Sequence, residues 1–236
     1  MAQLVFARTE KKYLVDETTF NTLMQALALY TEKDIHDRYT IANVYYDSPS
    51  FDLIRRSIEK PLYKEKFRVR SYGVPKSEDT VFVEIKKKFD GVVYKRRETM
   101  SCEEAVVFTE QGIPPRRTQI MEELAYCLKL HKLLPQIYLA YDRTALYGKD
   151  DPLLRITFDD NVRYRFDELD LTVGDRGVQY PLDGCRIMEI KVNGAMPLWL
   201  TQILSELRIY PCSFSKYGRI YMENYKELWE RRHELF

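Results

Sequence analysis

Cysteine is scarce and scattered in this chain. Cys102, Cys127, Cys185 and Cys212 form no C-x-x-C pair, so neither a disulfide framework nor a zinc site is expected. The three histidines, His36, His131 and His233, are equally dispersed, which leaves a histidine triad or metal cluster without support. No run approaches the roughly 18 apolar residues of a membrane span. The opening MAQLVFARTEKKYL has no apolar signal core, and a reduced, cytoplasmic protein is expected. Both G-x-x-x-x-G-K-[ST] and G-x-G-x-x-G are missing, as are repeats and linkers rich in Gly, Ser or Pro. A large excess of one charge is missing too. Lys and Arg number 37 against 36 Asp and Glu, a net charge of +1. The molecule is no polycation and is not expected to bind nucleic acid. If it holds an anion, it does so with a local patch.

What remains is an ordinary globular composition, 45% hydrophobic and 31% charged over 236 residues. That length is read as one domain, residues 1–236. Helix signals are few. Asp16 can cap a helix carrying Phe20, Leu23 and Leu27. Ser101 and Glu104 form an S-x-x-E capping box, with Gly112 as the stop. Residues 118–134 have helical apolar spacing, Pro197 can open a helix to Leu207, and Ser215 can open a last one. The stretches between are rich in Tyr, Val, Ile and Phe, as strands prefer. Strands are expected at 5–15, 41–47, 63–72, 80–89, 92–100, 136–147, 153–163, 170–173 and 186–191. The fold class is therefore α+β, mainly β.

Alternate residues of a strand share a face. Lys64, Lys66, Arg68 and Arg70 then lie together, opposite Phe67 and Val69. Glu84, Lys86 and Lys88 lie opposite Val83 and Ile85. Lys95 aligns with Arg97, Tyr141 with Arg143, Glu189 with Lys191, and Glu10 with Lys12; Arg155 sits between Leu154 and Ile156. A single such face reads as solvated. The set is harder to dismiss, because like charges side by side destabilise a sheet and cations outnumber carboxylates on these faces. Closed into a barrel, the faces would line one lumen. An oligophosphate fits such a lumen, since Arg forks bind phosphate oxygens in pairs and Lys adds point charge. Glu10, Glu84 and Glu189 either neutralise their basic neighbours or hold a hard cation bridging to phosphate.

The ordered motifs FARTEKKYLV (6–15), NVYYDSPSFDLIRRSIEKPLYKEKFRVRSYG (43–73), VFVEIKKKFDGVVYKRR (81–97), YDRTAL (141–146), LLRITFDDNVRYR (153–165), IMEIKVNG (187–194) and SFSKYGR (213–219) resemble the VTC domain. This is the polyphosphate polymerase domain of the vacuolar transporter chaperone family, here like its stand-alone bacterial type, in the CYTH-like triphosphate tunnel metalloenzyme superfamily. The resemblance implies a closed antiparallel β-barrel tunnel with helices packed outside. It implies transfer of the γ-phosphate of ATP to a polyphosphate chain, with Mn²⁺ or Mg²⁺.

Carried over by motif, Lys12, Arg68, Arg70, Lys86, Lys95, Arg143 and Arg155 are the implied catalytic cations. Tyr141, Lys191, Ser215 and Lys216 are the implied substrate contacts, and Glu189 with Glu10 the implied metal carboxylates. The superfamily's E-x-E-x-K is here Arg8-Thr9-Glu10-Lys11-Lys12, and Ser213 replaces an additional Lys of fungal members. The implied ligands are ATP or another nucleoside triphosphate, pyrophosphate, tripolyphosphate and polyphosphate. Two alternatives stand beside the polymerase: a triphosphatase acting on nucleoside triphosphate or tripolyphosphate, and a non-catalytic polyphosphate-binding module.

Overall fold

Period-two alternation builds one long antiparallel sheet from this chain. The computed structural model describes residues 8–90 and 92–233. In chain order these form β1 (Arg8–Asp16), α1 (Glu17–Leu27), β2 (Thr31–Asp47), α2 (Asp52–Ile58), β3 (Tyr63–Tyr72), β4 (Thr80–Phe89) and β5 (Val92–Ser101). There follow α3 (Cys102–Gln111), α4 (Gln119–Leu130), β6 (Leu134–Gly148), β7 (Arg155–Arg165), β8 (Val178–Gln179), β9 (Cys185–Asn193), α5 (Leu198–Glu206) and α6 (Lys216–His233). The strand order is β1-β9-β7-β6-β2-β3-β4-β5, with the short β8 beside β7.

The sheet curls strongly. β1 and β4 stand near opposite ends of that order, yet Lys86 Nζ on β4 reaches Glu10 Oε2 on β1 at 3.4 Å. The face that these two side chains share is therefore concave. The expected closed barrel is not formed, because β1 and β5 do not pair among the described residues. β5 carries charge on both faces, in Lys95, Arg96, Arg97 and Glu98, and such an edge resists further strand addition. Side chains span the seam instead of a backbone ladder.

Packing on the convex face explains four of the helices. Tyr13, Val15, Phe158, Met188 and Ile190 bury against Leu23 and Leu27 of α1 and Leu200 and Leu204 of α5. Phe67, Val69, Val83 and Ile85 bury against Ala105 and Phe108 of α3 and Met121 and Leu124 of α4. Helices α2 and α6 depart from the expectation that all helices lie outside. Ile54, Tyr217 and Ile220 pack on Ile41, Tyr45, Leu139 and Tyr141, which have the parity of the concave face. These two helices fill part of the lumen.

Other boundaries also moved. β2 begins ten residues before the expected start, at Thr31. Its first half, TEKDIHDR, has no apolar alternation and is broken by a register shift between Lys33 and Arg38. The strand expected at 170–173 is instead a turn, in which the Thr172 backbone N–H donates to Asp170 Oδ1 at 2.7 Å, the local competition typical of Asp. A two-residue strand at Val178–Gln179 takes its place beside β7. Of the expected first strand, residues 5–7 lie outside the described residues. Helix α2, of seven residues, was not foreseen.

Asp47 makes α2 possible. Its carboxylate accepts from the backbone N–H of Ser48, Leu53 and Ile54 at 2.8, 2.8 and 2.9 Å, and from the Tyr217 hydroxyl at 3.0 Å. One buried carboxylate thus starts α2 and fastens α6 to the end of β2. Asp47→Ala strands several buried donors, each costing about 1–3 kcal/mol. The expected outcome is a loss of at least roughly 3 kcal/mol in urea unfolding, with Asp47→Asn losing less. A fall below about 1 kcal/mol for Asp47→Ala would refute this role.

Candidate active site

Every side chain named above for the site sits on the concave face or at the start of α6. Cross-strand register brings them together: Lys12 faces Glu189, Glu10 faces Lys191, and Lys191 also faces Arg155. Arg68 faces Glu84, Lys86 faces both Lys66 and Lys95, and Arg143 faces Asp159. Such opposed pairs stand close enough for direct side-chain contact.

Glu84 organises the β3–β5 wall. It is 1% exposed. Arg68 donates Nε to Glu84 Oε2 at 2.7 Å and places Nη2 2.6 Å from the same oxygen. Lys95 Nζ lies 2.5 Å from Oε1. Burial alone would raise the Glu84 carboxyl, but the Arg68, Arg70 and Lys95 charges outweigh it and bring it down to about 2. Arg68 Nη1 also donates to the Tyr45 hydroxyl at 3.1 Å. Burial opposes ionisation of that phenol, yet Arg68, Lys66 and Arg70 pull it down to about 7. Arg70 donates to Asn43 Oδ1 at 2.9 Å and to the Tyr141 hydroxyl at 3.4 Å.

Asp159 plays the matching part on β7. Arg143 grips it with Nε and Nη2 at 2.6 and 2.8 Å, and Lys216 Nζ donates to it at 2.5 Å. Burial pushes this carboxyl up, while Lys216 and Arg143 draw it down further, to about 2. Lys216 and Arg143 both lie over the Tyr141 ring, at 4.2 and 5.2 Å from its centroid. The third carboxylate, Glu189, is 2.5 Å from Lys191 Nζ. Burial is again outweighed, here by Lys191, Lys12 and Arg143, and its pKa is lowered. Arg155 donates to the Tyr39 hydroxyl at 3.0 Å.

The beginning of α6 enters this cluster. Ser215 is its cap: the Gly218 N–H donates to Ser215 Oγ at 3.1 Å. A side chain at 218 would bring Cβ within 3.2 Å of that oxygen, which accounts for the glycine in S-K-Y-G. Lys66 Nζ donates to the same Ser215 Oγ at 2.9 Å, and Lys12 Nζ to the Phe214 carbonyl at 3.0 Å.

Burial lowers the ammonium of Lys66 to about 8, opposed by Tyr45 and reinforced by Lys12 and Lys86. Burial does the same to Lys95, also to about 8, against the pull of Glu84. In both lysines burial is the largest cause, and it outweighs the opposing pull of Tyr45 on Lys66 and of Glu84 on Lys95. A separate apolar cavity of about 370 Å³ lies behind the wall, between β2, β3 and α3, lined by Val44, Tyr46, Val69 and Ala105; it takes no part in this cluster.

Sequence reasoning missed several members. Lys66 and Glu84 were visible on the right faces, but not their joint role in fixing Ser215, Arg68 and Lys95. Asp159 was hidden in R-I-T-F-D-D, where nothing distinguishes it from Asp160. Asn43 and Tyr45 fell in an expected strand and were assigned no part in the site. Thr157 gave no signal, although its buried hydroxyl has no hydrogen-bond partner and faces Glu189 in register.

Glu84 and Asp159 fix the sign of the acid response. Their carboxyls titrate lower when folded than when unfolded. The stability they supply is complete above the ordinary carboxylate range, about 4, and drains away as pH falls toward about 2. Thermal melts are expected to drop steeply across that window, and an Asp159→Asn variant to lose part of the slope. A flat melting temperature from pH 5 to 2.5 would contradict the pairing.

Comparison with known proteins bears on the fold and the family. A putative adenylate cyclase from Bacillus halodurans superposes with a TM-score of 0.58 at 16% identity, covering 90% of this chain and 96% of that one. A putative adenylyl cyclase from Hippeastrum, described as having a dominant triphosphatase activity, superposes with a TM-score of 0.51 at 13% identity, covering 89% and 92%. At such identities the likeness is one of fold. The family model of the VTC domain matches residues 7–222, from β1 into α6. On that match the chain belongs to the VTC domain family.

Proposed function

We propose that this protein is a metal-dependent polyphosphate polymerase that transfers the γ-phosphate of ATP to a polyphosphate chain. The observation that carries the reading is the convergence of Lys12, Lys66, Arg68, Arg70, Lys86, Lys95, Arg143 and Lys216 on one concave face. The carboxylates on the same face, Glu10, Glu84, Asp159 and Glu189, are half as many. Phosphoryl transfer needs mainly positioning and neutralisation of charge, with no covalent nucleophile from the protein. In the transfer, the bond from the γ-phosphorus to its bridging oxygen breaks and ADP leaves. A terminal oxygen of the chain forms the new bond. That oxygen is already anionic near neutral pH, so this acceptor requires no general base.

Each side chain has a definable part. Arg68 and Arg70 stand on one strand face with Cα atoms about 6.5–7 Å apart by the strand rise, which lets both side chains reach oxygens of one phosphate chain. Glu84 holds Arg68 and Lys95 in place, and Asp159 holds Arg143 and Lys216, so the donors are aimed before an anion arrives. Tyr141 supports the Arg143 and Lys216 charges on its ring face. Arg155 and Lys191 extend the cationic lining along β7 and β9.

The donor set also fits a hard divalent cation. Glu189 and Glu10 offer carboxylate oxygens on paired strands, and the unpartnered Thr157 hydroxyl faces Glu189; Mg²⁺ or Mn²⁺ typically takes one or two carboxylates and fills the rest with phosphate and water. When bound there, the ion would neutralise charge on the phosphate oxygens. A triphosphatase is the second reading, favoured by the activity described for the Hippeastrum protein that shares the fold.

Product sizing after incubation with ATP and Mn²⁺ separates the two. Chains that lengthen with time are expected; orthophosphate as the sole phosphate product would establish the hydrolase. A paired test addresses the anion site itself. Arg70→Lys keeps the charge but loses the two-pronged donor. Tripolyphosphate binding should weaken by roughly 1–3 kcal/mol in calorimetric titration, while the melting temperature hardly moves. Lower stability with unchanged affinity would mark Arg70 as structural instead.

A further inference from the structure

On the convex side, away from the lumen, the fold gathers three metal-binding side chains that the sequence keeps apart. Glu65 on β3 has the opposite parity to Lys66 and Arg68. Cys127 lies on α4, and His131 caps the same helix four residues later. One donor atom from each lies within 4.8 Å of the other two. His131 Nε2 is 2.6 Å from Glu65 Oε1, and the Tyr63 hydroxyl donates to Glu65 Oε2 at 2.9 Å. Glu65 and Cys127 are buried, and the His131 side chain is 18% exposed.

We propose that Glu65, Cys127 and His131 form a zinc site that pins α4 to β3, with its fourth position open to water beside His131. The chemistry is selective. Thiolate, imidazole and carboxylate together suit Zn²⁺ rather than Mg²⁺ or Ca²⁺, which favour oxygen alone. Charge balances: one carboxylate and one thiolate offset the dication, and the neutral imidazole adds none. Binding forms a Zn–S bond as the Cys127 thiol proton passes to solvent.

The three donors, within 4.8 Å of one another, must adjust to share one ion. Zn–O and Zn–N bonds of about 2.0 Å place two tetrahedral donors roughly 3.3 Å apart. Glu65 and His131 must therefore separate slightly from their 2.6 Å contact, within reach of a side-chain rotation. Tyr63 supplies the outer hydrogen bond that orients a ligating carboxylate. Scattered cysteines and histidines gave no hint of this site, because its two nearest ligands are an isolated i, i+4 pair and the third is 62 positions earlier on a strand.

Cobalt(II) serves as the spectroscopic stand-in. Chelator-stripped full-length protein, titrated with Co²⁺, should develop a thiolate-to-metal charge-transfer band that saturates at one equivalent and is abolished by one equivalent of Zn²⁺. Zn²⁺ should also raise the melting temperature. Cys127→Ser should remove the band and weaken Zn²⁺ binding at least tenfold; His131→Gln, at the more exposed position, should weaken it similarly without disturbing the core. Tyr63→Phe should weaken it about tenfold. Changing Cys185 and Cys212 to Ser should leave the band intact. No band at one equivalent in the parent protein would show a plain Glu65–His131 ion pair and overturn the proposal. So would a band that survives in Cys127→Ser, or, should that variant fail to fold, in His131→Gln with unchanged affinity. The lumen carboxylates offer Co²⁺ only oxygen, so their occupancy cannot imitate the signal.

Discussion

Repulsion among the cations of the concave face is the constraint on which the rest of this structure depends. Like charges facing one another across a sheet are unfavourable, and here Lys86 is opposed by Lys66 on one side and Lys95 on the other. The fold tolerates this by sharing a few carboxylates. Glu84 serves Arg68 and Lys95, and Asp159 serves Arg143 and Lys216. Each is nearly inaccessible to water and cannot be spared, since losing one partner of a buried ion pair leaves an uncompensated charge, commonly worth 3–5 kcal/mol. Burial nonetheless holds the ammonium groups of Lys66 and Lys95 below their ordinary range.

Fixing so many charged groups also requires a rigid frame, and the frame extends well beyond the sheet. Asp47 holds Tyr217, Tyr217 stacks on Tyr45 at 4.9 Å, and Tyr45 receives a hydrogen bond from Arg68. A short buried chain of contacts therefore links the start of α2, the first turn of the concave-side helix α6 and Arg68. Ser215 and Lys216, the two residues immediately before Tyr217, are positioned by the same anchor. Donors fixed before the anion binds need little reorganisation during charge transfer, which is where such sites gain their rate.

Much of this was legible in the strands and little of it in the connections. β3 and β4 match the alternation residue for residue, because a buried convex face and a cationic concave face impose opposite chemistry on neighbouring positions. Ser101 and Asp16 announced their helices by local capping chemistry, which is independent of tertiary context. Where context decides, the reading failed. The polar first half of β2 is a strand because β6 pairs with it, and α2 exists because Asp47 lies across its start. The site divides the same way: the cations declared themselves by spacing, whereas Asp159, Asn43 and Thr157 acquire meaning only from what faces them across the ladder.

The open seam follows from the same electrostatics. A β1–β5 ladder would complete the barrel, and the sheet curls far enough for Glu10 to meet Lys86. That partly exposed pair contributes at most about 1 kcal/mol, far less than a row of backbone hydrogen bonds would. Yet pairing β5 with β1 would set Lys95 and Arg97 beside a strand whose lumen side chains are Glu10 and Lys12, with Glu84 already committed to β3 and β5. The carboxylate needed to neutralise that new contact is Glu10, and it is spent on Lys86. A lumen this basic thus resists its own closure, and the strand carrying Lys95 and Arg97 remains an edge.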